Sequence, residues 1–243
     1  MEFHSLTKHF GSKWIEEQIA TMSSIFVPDN LRFKFMEKIE ELVQKLEIIP
    51  GFNKWVNDAR SGDFEDFFFE LMIFENLYKK ADYMEIKPEN YGKTPEALIE
   101  KGEKFYIEAK KLNGIPNNTN TKLNTLIKDA RQKFKLSRGI LFIGCFGLFS
   151  YENGEPKPSK EFRDLVEEAT RKLNSDRENT RIVAVVLTNI YVQTDMEKLS
   201  IQKRYNLLRR PEHKKGFNEN KFKELFDVDG WVEEDSPGEV QLR

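Results

Sequence analysis

The chain has little of what many enzyme classes require. Its 243 residues include one cysteine, Cys145, and three histidines, His4, His9 and His213. A disulfide framework and a cysteine- or histidine-based metal centre are therefore excluded, and any metal must be held by carboxylates. No apolar run approaches the roughly 18 residues of a membrane span, and the longest, Gly139 to Phe149, has the texture of a strand. No glycine-rich phosphate loop occurs, which argues against nucleotide-driven motor activity. Met1 to His9 lacks the charged-then-apolar layout of a signal peptide, so a cytoplasmic protein without membrane contact is expected. Charge of one sign is lacking too: 39 Lys+Arg face 41 Asp+Glu, a formal net of −2. As a whole-chain value, that gives no reason to expect a polyanionic partner.

What is present is aromatic and charged. Twenty phenylalanines and a charged fraction of 33% describe a large core under a soluble surface, and such aromatic content excludes disorder for most of the chain. The length fits one domain or two. Residues 1–60 read as an N-terminal helical region, with helical spacing over 12–27 and 28–47 and a break at Pro50-Gly51. Residues 61–195 read as an α/β core. Ser61-Gly62-Asp63 opens a helix over 64–80, strand-like runs follow at 83–87, 97–100 and 104–110, and a second helix covers 121–136. Gly139 to Cys145 and Arg181 to Leu187 read as central strands, separated by a Pro/Gly-rich loop (153–159) and a helix over 160–173. Residues 196–243 read as an extension, basic over 198–215, with a short helix over 218–226 and a loose acidic tail.

Two features carry chemistry. Glu70 interrupts the otherwise apolar helix segment Phe67 to Phe74, and a buried carboxylate needs a counter-charge, a metal or a proton. In Lys104 to Lys110, alternation puts Phe105, Ile107 and Ala109 on one face and Tyr106, Glu108 and Lys110 on the other. Pro95-Glu96 opens the preceding strand. A two-residue loop would pair Glu96 with Ile107, on the wrong face. A three-residue loop containing Gly102 would return Glu96 to the face of Glu108 and Lys110.

The order helix-Glu70, then Pro95-Glu96, then Glu108-Ala109-Lys110 resembles the PD-(D/E)XK nuclease superfamily over roughly residues 63–145. The resemblance implies a restriction-endonuclease-like αβββαβ core, a mixed central sheet flanked by helices. It also implies metal-dependent hydrolysis of phosphodiester bonds, in DNA more than in RNA, in restriction, repair or defence. Glu96, Glu108 and Glu70 would bind Mg²⁺ or Mn²⁺, and Glu96, Glu108 and Lys110 would form the catalytic set. Glu96 stands where the family usually carries Asp, one methylene longer. The Glu-x-Lys spacing recurs at Glu85-Ile86-Lys87, which lacks the second acid strand. Two readings remain beside the nuclease: a catalytically inactive nuclease-fold subunit for nucleic-acid binding or assembly, and an α/β interaction protein in which the motif is accidental. A homodimer or larger assembly is left open.

Local charge differs from the total. Residues 101–138 hold ten Lys/Arg against three Asp/Glu, and 202–215 hold six against one. In the helix over 121–136, Leu123, Ile127, Ala130 and Phe134 form an apolar stripe, while Lys128, Arg131, Gln132 and Lys135 share another face and are the candidate nucleic-acid contacts. Trp14, Trp55 and Trp231 read as packing anchors.

Overall fold

The computed structural model describes residues 3–22, 27, 29–112, 119–152, 155–175, 181–195, 198–209 and 239–240. The helix expected over 218–226, Trp231 and most of the acidic tail lie outside the described residues. In chain order the helices are α1 (His4–Phe10), α2 (Ser12–Thr21), α3 (Arg32–Leu46), α4 (Phe52–Ala59), α5 (Phe64–Tyr78), α6 (Thr119–Phe134) and α7 (Lys160–Ser175). The strands are β1 (Tyr83–Ile86), β2 (Ala97–Glu100), β3 (Lys104–Lys111), β4 (Gly139–Phe146), β5 (Phe149–Glu152), β6 (Glu155–Pro158), β7 (Ile182–Asp195), β8 (Lys198–Arg209) and β9 (Glu239–Val240). The chain is thus a mixed α/β protein.

The sheet runs β1-β2-β3-β4-β7, extended by β8 and β9. β1, β2 and β3 form an antiparallel meander, whereas β3-β4 and β4-β7 are parallel. α6 connects the first parallel pair, and α7 lies in the connection of the second. Strand alternation then sorts the two faces. Phe105, Ile107, Ala109, Ile140 and Phe142 join the core built with α1 to α5. Leu141, Ile143 and Cys145 join the core built with α6 and α7. Helix layers on both faces explain why β4 is buried from Gly139 to Cys145 and reads as a continuous apolar run. Close packing sets one residue type in it: a Cβ on Gly144 would stand 2.7 Å from the Phe69 ring.

α5 begins where its cap chemistry places it, with the Asp63 side chain accepting from the Glu65 N–H at 2.9 Å. Phe67, Phe68, Phe69, Leu71, Met72, Ile73 and Phe74 are all buried. The N-terminal helices share one continuous core with this helix and the sheet. Trp14 stacks on Phe10 with centroids 4.5 Å apart, and Trp55 stacks on Phe67 at 5.2 Å.

Five elements, α1, α4, β5, β6 and β8, differ from the sequence expectation. α1 and α4 are helices in stretches too short for periodicity to reveal. α4 depends on Gly51, whose φ of +83° and contact with the Ile86 carbonyl leave no room for a side chain. The Pro/Gly-rich segment expected as a loop holds a hairpin, β5 with β6, whose prolines lie in a two-stranded ribbon and break no central ladder. Finally, residues 198–209 pair along their length with β7, so the basic segment expected as an extension continues the core sheet.

Candidate active site

The β2-β3 hairpin sets the geometry. Glu100 pairs with Lys104 across the three-residue loop Lys101-Gly102-Glu103, with Gly102 at φ +70°. The register runs back to Ala97 opposite Ile107, and the Glu96 N–H donates to the Ile107 carbonyl at 2.9 Å. Glu96 lies just before β2, and Lys133 and Lys110 each contact it together with Glu108. The hairpin thus gathers Glu96, Glu108 and Lys110 into one cluster, which Lys133 of α6 bridges.

Both carboxylates are deeply buried, at 2% and 0% exposure, and three ammonium groups surround them. Lys133, in the last turn of α6, bridges the pair: its Nζ lies 3.0 Å from Glu96 Oε1 and 2.7 Å from Glu108 Oε1. Lys110 Nζ lies 2.9 Å from Glu108 Oε1 and 3.7 Å from Glu96 Oε1. Lys87, just past β1, pairs with Glu96 Oε2 and reaches Asp58 at 3.1 Å. The distribution is uneven. Glu96 has an ammonium group at each oxygen, whereas both ammonium groups of Glu108 lie on Oε1. Glu96 Oε2 and both Glu108 oxygens are buried without a hydrogen bond of good geometry, and Glu108 Oε2 has no ion pair either.

The electrostatics follow this unevenness. Burial alone would raise Glu96, but Lys87, Lys133 and Lys110 hold its carboxyl below the ordinary value. Burial and the neighbouring Glu96 charge raise Glu108, and Lys110 and Lys133 only partly offset them. Burial alone would lower Lys110 and Lys87, but Lys110 is raised by Glu108 and Glu96, and Lys87 by Glu96 and Glu70. The shifts of Glu96, Lys87 and Lys110 favour their charged forms, whereas that of Glu108 disfavours its charge.

Glu70 stands apart. It belongs to α5, which packs on the opposite face of the sheet, and its Oε2 accepts from the Trp55 indole N–H at 2.6 Å. Burial and the charge of Glu96 push its carboxyl up to about 8. Among the described residues no three His, Cys, Asp or Glu side chains group closely enough to hold a metal ion. The structure brings Glu96, Glu108 and Lys110 together and leaves Glu70 as a hydrogen-bonded neighbour. The donors suited to a hard cation are the oxygens of Glu96 and Glu108.

Two participants escape the sequence reading. Lys133 lies three residues after Ala130 in the buried stripe, and that helical spacing was a usable signal. Lys87 belongs to the rival Glu85-Ile86-Lys87 spacing, and its left-handed backbone, φ +51°, has no signature in a lysine. Such a conformation costs roughly 1–3 kcal/mol. Its N–H donates to the Glu96 carbonyl at 2.8 Å, so the strained residue joins its acid through backbone and side chain alike.

The segment between β1 and β2 is also tied to α6. Asn90 Nδ2 donates to the carbonyls of Lys133 and Phe134 at 2.9 and 2.8 Å, and the Ser137 hydroxyl donates to Asn90 Oδ1 at 3.0 Å. The stripe of Leu123, Ile127, Ala130 and Phe134 is buried as expected. Of the candidate nucleic-acid contacts, Lys128 and Gln132 are exposed, Arg131 is half-buried, and Lys135 follows the helix end with φ +53°. Cys145 is buried, and burial pushes its thiol up to about 12, far from a reactive thiolate. No described helix is long and apolar enough to cross a membrane.

A comparison with models of known protein families finds no match, and a search of curated proteins finds none either.

Proposed function

We propose that this chain is a divalent-metal-dependent nuclease of the PD-(D/E)XK type, cleaving phosphodiester bonds in nucleic acid, DNA above RNA. The observation that carries the reading is the cluster at the hairpin: Glu96 and Glu108 bridged by Lys133, Lys110 two residues beyond Glu108 on the same strand face, and Glu108 Oε2 buried without a partner. A hard anionic oxygen left over in such a place fits a bound Mg²⁺ or Mn²⁺, with Glu96 and Glu108 as its protein ligands. When bound, such an ion lowers the pKa of a coordinated water and offsets charge on the scissile phosphate. The chain's own residues have simpler tasks. Glu96 and Glu108 hold negative charge at a fixed place. Lys110 Nζ, anchored on Glu108, is a donor for a non-bridging phosphate oxygen, where negative charge grows in the transition state. Lys128, Arg131 and Lys135 supply positive charge for flanking phosphates, a contribution that weakens as salt rises.

The purified protein should be incubated with plasmid, linear duplex, single strands and RNA, in Mg²⁺ or Mn²⁺ and then with excess chelator. Expected is cleavage that the chelator abolishes and that Glu108→Ala and Lys110→Ala each reduce by about 100-fold or more. Cleavage that survives both substitutions overturns the site, and absence of cleavage on every substrate overturns the activity. One observation favours a second reading, a non-catalytic nucleic-acid-binding subunit: three lysines already neutralise the two acids. Salt-sensitive binding without cleavage is its signature.

A further inference from the structure

Two carboxylates and three ammonium groups share this site, and the ammonium groups are not equivalent. Lys87 has 9% of its side chain exposed, sits on a strained backbone and touches Glu96 alone of the pair. Lys110 rises from β3 between two flanking strands, and its close contact is with Glu108. Only Lys133 lies within 3.0 Å of both acids, with the Oε1 atom of each as its partner. An ion shared by two carboxylates is drawn to the place where their negative fields overlap, and a lysine ammonium holds that place. The backbone of Lys133 is fixed by the Asn90 hydrogen bonds, while its side chain, 26% exposed, has a path to water. The long flexible stem lets the charge leave without any movement of the helix.

We propose that Lys133 is an exchangeable internal counter-ion: it bridges Glu96 and Glu108 until a divalent cation takes its place, and the released ammonium then turns outward to a backbone phosphate. The proposal rests on the metal-dependent reading of the site and adds a linkage to it. Cation and phosphate each favour the state with Lys133 withdrawn, so each strengthens the binding of the other. Without a phosphate, a cation must displace Lys133 unaided, and its affinity is held down. Lys133 is thereby a positioning residue for the acids and a gate for the metal.

The test measures Mn²⁺ affinity by calorimetry on the full chain, without nucleic acid, for wild type, Lys133→Met and Lys133→Arg. Lys133→Met is expected to bind Mn²⁺ at least tenfold more tightly than wild type. Lys133→Arg, which keeps the charge, should stay within about threefold of wild type. Lys133→Gln serves the same comparison if Lys133→Met fails to fold. A chemically uncleavable phosphorothioate oligonucleotide should then tighten Mn²⁺ binding to wild type by about tenfold and leave Lys133→Met nearly unchanged. Equal or weaker Mn²⁺ binding by the neutral variants overturns the gate, whatever the cleavage assays report. Tighter Mn²⁺ binding by Lys133→Met with no cleavage by wild type leaves the gate standing and removes the nuclease activity.

Discussion

Two buried glutamates, one in the helical layer and one in the sheet, show how differently the protein treats the same chemical group. Glu40, on α3, is 8% exposed and fully engaged. Its Oε1 accepts from the Ser5 N–H at 2.8 Å and from Gln44 Nε2 at 2.7 Å, and its Oε2 accepts from the Leu6 N–H at 2.8 Å. These N–H groups belong to the first turn of α1, whose own N-cap, Phe3, offers no side-chain acceptor. Glu40 supplies from another helix what the local sequence lacks. Glu108 has two ammonium groups on one oxygen and nothing on the other. Where the Glu40 carboxylate serves the fold, both of its oxygens accept hydrogen bonds. Glu108, at 0% exposure, has an oxygen with no such partner, a cost to folding that Glu40 does not carry.

The contrast is lost most severely if Glu96, which has an ammonium group at each oxygen, is stripped of one as Glu108 is at Oε2. Lys87→Met removes the cation at Glu96 Oε2 and keeps the bulk of the side chain. Removing one member of a buried pair costs roughly 3–5 kcal/mol, so the urea midpoint should fall by the largest amount of any substitution discussed here. A loss under about 1 kcal/mol would mean that Lys133 and Lys110 suffice for Glu96. Next in size is Glu40→Ala, which leaves two first-turn N–H groups and Gln44 without their acceptor. A loss of roughly 1–3 kcal/mol is expected, with amide hydrogen exchange accelerating at Ser5 and Leu6 ahead of the sheet. Uniform acceleration across β3 and β4 would show that Glu40 holds more than α1.

The legibility of these two regions in the sequence was unequal. The hairpin could be read because loop length is a matter of counting: with Gly102 in a three-residue loop, Glu100 pairs with Lys104 and Ala97 with Ile107, which leaves Glu96 near Glu108. β4 and the buried stripe of α6 could be read because two helix layers impose simple periodicities. Glu40 was not legible as a cap, because its donors lie more than 30 positions away and no spacing rule connects them. Lys87 was hidden by a backbone conformation that lysine rarely adopts. Glu70 was read correctly as an anomaly, but its partner, Trp55, lies 15 residues upstream on another helix. Local pattern reports which face a residue occupies, and tertiary contact decides what it meets there.

Glu70 provides a pH test of the same contrast. Its carboxyl, raised to about 8, favours folding only while protonated. The sign follows directly: that stability is fully present below the ordinary value of about 4.5 and is lost as pH rises through about 8. Wild-type stability should decline between pH 5 and pH 9 by more than that of Glu70→Gln, in which no proton can leave. Glu96 acts in the opposite sense, since its lowered carboxyl stabilises above the ordinary range and loses that stability as pH falls. Parallel pH profiles for wild type and Glu70→Gln would remove the buried proton from the account.

The smallest expected effect is the most telling. Glu108→Gln keeps the shape of the side chain, removes a charge that burial disfavours, and offers the empty position of Oε2 an amide whose needs are weaker than an ion's. Its neighbours Lys110 and Lys133 have 32% and 26% of their side chains exposed, so water can take over part of their solvation. Stability should change by less than about 1 kcal/mol, in either direction. The same exchange at Glu40 should cost more, because the amide nitrogen would face a backbone N–H whichever way it turned. A Glu108→Gln variant as stable as wild type but unable to bind Mn²⁺ would show that this carboxylate is ionised for a ligand's sake. A loss matching that of Glu40→Gln would make Glu108 a structural ion, and the contrast between the two regions would vanish.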